Sequence, residues 1–395
     1  MRSMHAEFNG HVLMTVDTVG GVWHQGLELA AGLVRRGMRV SLATMGARLS
    51  PAQRTQAAAL RGVELHESSW RLEWMDDARD DVCHAGDWLL GLEARLRPDV
   101  VHLNQFAFGA WPFAAPTLVV AHSCVLSWWR AVHGERAPAA WDAYRDIVRR
   151  GLAGATLVGA PTQAMLDALA FEHGHVRGGV VLPNGRSPAD FRPGEKQPVI
   201  LAAGRLWDPA KNLAALEAVA PRLPWPVRVA GARVEPGRTA PSSAAAALQA
   251  SAVQWLGELA PTELAAQFAE ASIYALPARY EPFGLSALEA ALSGCALVLG
   301  DVPSLREVWG DAAVYVPPGN AGALRAALIQ LIDGPRQREQ MAQRARIRAR
   351  CFTPSRMVQA YLGAYARLCA PKHAEADAAM PAPVQRQPEA IPCDS

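Results

Sequence analysis

Short apolar runs alternate with amphipathic stretches along most of this chain, and no other feature restricts its fold as much. The pattern belongs to βα units laid on a parallel sheet, because a strand covered by helices on both faces must be apolar throughout. In the first half the runs are His11–Val16, Val40–Thr44, Val100–Leu103, Leu118–His122 and Thr156–Ala160. A helical pattern follows Gly20-Gly21, with Trp23, Leu27, Ala30 and Val34 on one face and Gly37 placed to stop it. Trp141–Leu152 is a further helix. The segment Ser187–Gly194, rich in Pro, Gly and polar residues, reads as a linker. A second series of strands then runs through Val199–Ala203, Val227–Ala230, Ser272–Pro277, Ala296–Gly300 and Ala313–Val316. Helices are expected at Thr262–Ala271, Gly284–Ser293, between Ala321 and Cys351, and at Pro354–Cys369.

A chain of 395 residues exceeds one ordinary core, so the reading is two α/β domains, 1–190 and 191–353, with a helix at 354–370 after them. Ala232–Ala250 reads as a variable insertion or loop, and the Pro- and Ala-rich residues 371–395 as a disordered tail. The formal charge of +2 lacks the basic excess of a nucleic-acid binder. The cysteines form no CxxC pair, and His173 and His175 read as surface residues without a Cys or carboxylate beside them, so no metal site is expected. Val100–Trp129 carries no charged residue, but Pro112, Pro116, His102, Asn104, Gln105 and His122 interrupt it. Buried strands and a loop explain it better than a membrane span. Met1–Gly10 lacks the apolar core of a signal peptide, and a cytoplasmic location is expected.

The most informative string is Tyr280-Glu281-Pro282-Phe283-Gly284-Leu285-Ser286-Ala287-Leu288-Glu289-Ala290, directly after a strand. In an open parallel sheet such turns form the ligand-binding edge. The amides of Phe283, Gly284, Leu285 and Ser286 open a helix and suit an anion. Glu281 in the turn and Glu289 in the helix suit hydroxyl donors at two points of one ligand, since a carboxylate oxygen takes more than one hydrogen bond. A capped helix with one surface glutamate is the bland alternative. Gly204 and Arg205 leave the first strand of the second domain, and Lys211 stands at the start of the next helix. Two cations there would neutralise a diphosphate, bound or departing. Alone they would read as solvated side chains. Asp17-Thr18-Val19-Gly20-Gly21-Val22 places two glycines where backbone can approach a phosphate or sugar, with an ordinary tight turn as the rival. His122 ends an apolar strand and would face the cleft, although a lone histidine more often satisfies a local hydrogen bond. Trp128 and Trp129 follow, suited to stacking on a sugar or to packing.

These residues resemble glycosyltransferase family 4, the group 1 transferases, which have the GT-B fold: two Rossmann-like α/β domains with parallel sheets facing across a cleft. The resemblance extends from about residue 10 to 370 and rests on Glu281–Glu289, on Gly204-Arg205 with Lys211-Asn212, on Pro183-Asn184-Gly185, on Gly20-Gly21 and on His122. It implies retaining transfer of a hexose from a nucleoside-diphosphate sugar to a saccharide or lipid-linked acceptor, with no cofactor and no metal. It also implies that Arg205 and Lys211 stabilise the leaving diphosphate, that Glu281 holds the donor sugar and that Glu289 holds the ribose. Phe283, Gly284 and Leu285 would give main-chain contacts. The base would lie near Ala230–Arg233 and Trp255–Gly257, and the last helix would cross back to the first domain. Independently, the chain has no Asp-x-Asp anchor for a metal. Arg186 departs from the pattern, standing where the family often has a small apolar residue.

Two alternatives stay open on sequence: a sugar-nucleotide epimerase on the same fold, and a non-catalytic nucleotide-sugar-binding module. Arg145, Arg149 and Arg150, and the run Arg336–Arg350, read as solvated helix faces, with weak peripheral contact to anionic lipid as the lesser reading.

Overall fold

A computed structural model describes residues 9–174, 176, 178–234 and 252–370. The suggested tail at 371–395, His175 and most of the suggested insertion at 232–250 lie outside the described residues. Two parallel sheets carry the fold. The first is built from β1 (His11–Asp17), β2 (Arg39–Met45), β3 (Val63–Glu67), β4 (Val100–Leu103), β5 (Thr117–Val120), β6 (Leu157–Ala160) and β7 (Val180–Val181). Its order is β3-β2-β1-β4-β5-β6-β7. The second contains β8 (Gln197–Ala203), β9 (Val227–Ala230), β10 (Gln254–Gly257), β11 (Ala271–Leu276), β12 (Ala296–Gly300) and β13 (Val314–Val316) in the order β10-β9-β8-β11-β12-β13. Both orders reverse beside the first strand, and at such a switch point the loops after neighbouring strands diverge and leave a crevice.

Helices α1 (Gly21–Arg35), α2 (Pro51–Ala58), α3 (Arg79–Leu96), α4 (Val125–His133), α5 (Asp142–Gly154) and α6 (Gln163–His173) flank the first sheet. Helices α7 (Leu213–Val219), α8 (Pro261–Glu270), α9 (Leu285–Leu292), α10 (Pro303–Trp309), α11 (Ala321–Asp333) and α12 (Pro335–Ala349) flank the second. The central strands β1 and β11 are buried at every position, as strands covered on both faces must be. The last helix, α13 (Pro354–Cys369), packs on the first sheet rather than the second. Its Met357, Val358, Tyr361, Leu362 and Tyr365 join the core of Val12, Met14, Leu29 and Leu33. The chain therefore passes between the sheets twice, and the two passages touch: Arg186 N–H donates to the Phe352 carbonyl at 3.0 Å.

One basic segment is less free than the sequence suggests. Arg145 and Arg149 are ion-paired to Asp142 and Asp146 one turn back on α5. Among the described residues no helix is long and apolar enough to cross a membrane. His173, read as a surface residue without a cysteine beside it, instead lies 3.4 Å from Cys124 Sγ.

Candidate active site

The carboxyl ends of β8 and β11 bring the two strongest sequence signals together. Lys211 Nζ donates to Glu281 Oε2 at 2.7 Å, and both side chains are nearly buried, 14% and 13% exposed. Lys211 sits in a single helical turn, Pro209–Lys211, capped by Asp208, so it precedes α7 rather than opening it. Asn212 fixes that turn by donating through Nδ2 to the carbonyls of Pro277 and Pro318 at 2.9 and 2.7 Å. Burial alone would raise the Glu281 pKa; the Lys211 charge and hydrogen bond, the Phe283 amide and Arg205 together hold it below the usual carboxylate range.

Glu281 also changes the expected role of the helix start. Its Oε1 accepts from the Gly284 N–H at 2.9 Å and the Phe283 N–H at 3.4 Å. Two of the four amides proposed for an anion therefore already hold a carboxylate. Leu285 and Ser286 open α9, where first-turn amides have no intrahelical acceptor. The Ser286 hydroxyl points away, taking a hydrogen bond from Tyr274 Oη at 2.7 Å.

Arg205 reaches the opposite wall. A Cβ added to Gly20 would lie 3.4 Å from Arg205 Nη1, and one on Gly21 would lie 3.9 Å from Leu285 Cδ1. The starts of α1 and α9 thus face each other across Arg205. Gly204 and Gly231 hold the Arg205 loop: a Cβ on Gly231, whose φ is +137°, would lie 1.9 Å from the Gly204 carbonyl oxygen. Beside this loop a cavity of ≈370 Å³ is lined by Leu206, Asp208, Leu213, Arg233, Trp255 and Arg279. Arg233 stacks over the Trp255 ring at 3.9 Å.

On the first sheet, His122 lies two residues beyond β5, not within it. Its Nε2 and that of His102 both meet Asn104 Oδ1, at 2.7 and 3.2 Å. Asn104 Nδ2 donates to the Thr15 carbonyl at 2.6 Å, which fixes the amide's orientation. An amide oxygen only accepts, so both rings carry their proton on Nε2. His102 Nδ1 then accepts from Tyr365 Oη at 2.8 Å, and His122 Nδ1 is left as an acceptor with no partner among the described residues. Burial pushes the His122 pKa down to about 4, so the ring is a neutral acceptor at pH 7. Asp17 and Glu73, also near this edge, are pushed up to about 7 by burial; the Val19 amide and Arg205 oppose the rise at Asp17, and the Ala107 and Phe106 amides oppose it at Glu73.

The His122 shift gives stability a pH dependence. The unfolded chain takes up a proton near pH 6.5, whereas the folded ring stays neutral until about 4. Stability is therefore complete above pH 6.5 and falls as pH drops toward 4, by about 3 kcal/mol from this ring. His102, pushed down to about 3 by burial and by His122, acts in the same direction. Urea unfolding at pH 7 and pH 4.5 should show a smaller acid loss for His122→Asn than for wild type. An equal loss in both proteins would remove His122 from the account.

Other cross-sheet contacts were not legible in sequence. Trp128, a candidate for stacking on sugar, donates through Nε1 to Asp208 at 2.9 Å. Tyr280 Oη accepts the Cys124 N–H at 3.0 Å, and the Glu307 carboxylate accepts the first amides of α6, Gln163 and Ala164, at 2.7 and 2.8 Å. Glu289, read as a free acceptor, is ion-paired to Arg186 at 2.7 Å, and Arg186 also holds Glu28 at 3.0 Å. The single sequence clue was an arginine where an apolar residue was expected.

Two protein families match the chain: Glycosyltransferase Family 4 over residues 19–189 and Glycosyl transferases group 1 over residues 185–348. A glycogen synthase of Mycobacterium tuberculosis is 38% identical over 99 residues, 25% of this chain and 24% of that protein. The O-antigen chain mannosyltransferase B of Escherichia coli is 31% identical over 113 residues, 29% of this chain and 30% of that one. The chain thus aligns with about a quarter of the length of these curated relatives. Among solved structures, sucrose-phosphate synthase from Thermosynechococcus elongatus superposes with a TM-score of 0.75 at 18% identity, over 92% of this chain and 100% of that one. The Anabaena protein Alr3699/HepE, in complex with UDP-glucose, gives 0.72 at 15% identity over 90% and 99%. These superpositions agree with the two parallel sheets in giving a GT-B fold. With the two families meeting end to end along the sequence, the chain belongs to the group 1, family 4-like glycosyltransferases.

Proposed function

We propose that this glycosyltransferase moves a hexose, with retention and without a metal, from a nucleoside-diphosphate sugar to a saccharide or lipid-linked acceptor. The observation that carries this reading is the Lys211–Glu281 pair, 2.7 Å apart at the strand ends, with Arg205 between it and the Gly20 turn. A diphosphate placed there meets two cations and the Leu285 and Ser286 amides. The negative charge that grows on it as the glycosidic bond breaks is then met by groups already in position, which needs no metal. As the diphosphate takes Lys211, Glu281 becomes available to the sugar hydroxyls. His122 Nδ1 accepts a further hydroxyl from the opposite wall, and Glu289 accepts from the ribose. The base fills the cavity against Arg233 and Trp255. The acceptor enters from the side of the first sheet.

A thermal-shift screen of UDP-, GDP- and ADP-sugars, each with and without EDTA, tests the donor and the metal together. Ligands that bind only the folded state raise its midpoint. One nucleotide class is expected to raise it, equally with chelator present. A flat response to all three classes, or one abolished by EDTA, would contradict the reading. The anomeric configuration of the product, read by NMR, distinguishes retention from inversion. Incubating the donor without acceptor should give slow hydrolysis and no epimer.

A further inference from the structure

Arg186 lies in the first passage between the sheets and is 9% exposed. Its Nε donates to Glu289 Oε1 at 2.7 Å and its Nη1 to Glu28 Oε2 at 3.0 Å. Glu28 is on α1, whose first residues form the Gly20-Gly21 turn; Glu289 is on α9, whose first turn carries Leu285 and Ser286. One guanidinium therefore joins the two helices whose starts face each other across the candidate diphosphate site. A planar fork suits this bridging, and an ammonium would not span both carboxylates in the same way. Arg186 occupies only one oxygen of Glu289. Among the described residues, Oε2 has no partner.

We infer that Arg186 is a positioning residue for donor binding: anchored to Glu28 on α1, it orients Glu289 so that Oε2 meets the ribose hydroxyls. The inference rests on the proposed role of Glu289 as the ribose acceptor. Without Arg186, Glu289 loses the partner that orients it and faces Glu28 across a buried gap. Glu28 touches no part of the proposed ligand, yet it anchors the other end of the bridge, so its loss carries to the donor through Arg186.

The test compares calorimetric affinities for UDP, GDP or ADP, whichever binds, with those for the same nucleotide in its 2′,3′-dideoxy form. The wild type should prefer the ribonucleotide by about tenfold or more, the scale of a hydrogen bond to a charged group. Arg186→Val should bind the dideoxy form as the wild type does and lose most of the preference. Glu28→Gln should lose part of it. A purely structural role would lower the unfolding midpoint and leave the preference intact, and that result in folded Arg186→Val overturns the inference. If Arg186→Val is unstable, Glu28→Gln with an unchanged preference overturns it equally. Failure of the wild type to bind any of the three nucleotides would instead strike the reading of the diphosphate site, and equal wild-type affinity for both forms would strike the role of Glu289.

Discussion

Arg205→Ala is expected to lower kcat about 100- to 1,000-fold while leaving the protein folded. The figure is that of removing one preorganised group that meets developing charge, about 3–4 kcal/mol. Arg205 is 47% exposed, and its contact with Asp208 is long, 3.5 Å, so little stability depends on it. Lys211→Ala should produce a loss of similar size but with a second consequence. It strands the Glu281 carboxylate, buried with hydrogen bonds from the Phe283 and Gly284 amides and only the more distant Arg205 charge to offset its own. Breaking a buried pair by removing one partner is costly to folding, so Lys211→Ala should also lower the unfolding midpoint, whereas Arg205→Ala should not. Steady-state kinetics beside urea unfolding separate the two effects. Wild-type kcat in both variants would remove the leaving-group mechanism.

The largest expected loss of stability comes from Gly151→Ala. Helix α5 lies against the turn after β4 with almost no side-chain spacing. A Cβ on Gly151 would fall 1.8 Å from the Phe106 carbonyl oxygen, and one on Gly109 or Gly154 would also meet backbone oxygen, at 2.2 and 2.4 Å. Backbone cannot rotate aside as a side chain does, so the helix must lift from the sheet. A shift of that kind in a close-packed core costs at least about 3 kcal/mol, the upper end of overpacking. The turn that would move carries Asn104, which fixes His122, so the variant should lose activity even where it folds. Urea midpoints for Gly151→Ala against Gly91→Ala, where an added Cβ meets nothing within 4 Å, give the comparison. Similar midpoints would show that the interlock is not tight.

The parallel sheets were legible because strands buried on both faces must be apolar throughout, and β8, β9, β11 and β12 appear where continuous apolar runs stand. Strand β3, Val63–Glu67, was not legible: it lies at the sheet edge, half exposed, and its Glu64, His66 and Glu67 break the run. Glu281, Arg205 and Lys211 could be read together because each lies in a recognisable string that follows a strand. Their mutual geometry could not, and the carboxylate that caps its own helix start is the clearest instance. Glu28 was silent because it lies on an amphipathic helix, where a polar residue outside the apolar stripe is the ordinary case. Its meaning depends on Arg186, 158 residues away in sequence. Asn104 was noted only as an interruption of an uncharged stretch, since its partners Thr15, His102 and His122 converge through sheet order rather than spacing.

The proposed function requires a nucleotide's diphosphate to lodge between Arg205, Lys211 and the start of α9. Calorimetric titration of the nucleoside diphosphate picked out by the donor screen, and of the matching nucleoside, into wild type and the Arg205→Ala/Lys211→Ala double variant decides this. The double variant is expected to bind the diphosphate at least about 100-fold more weakly than wild type while its affinity for the nucleoside is unchanged. Wild-type affinity for the diphosphate in a folded double variant would contradict it.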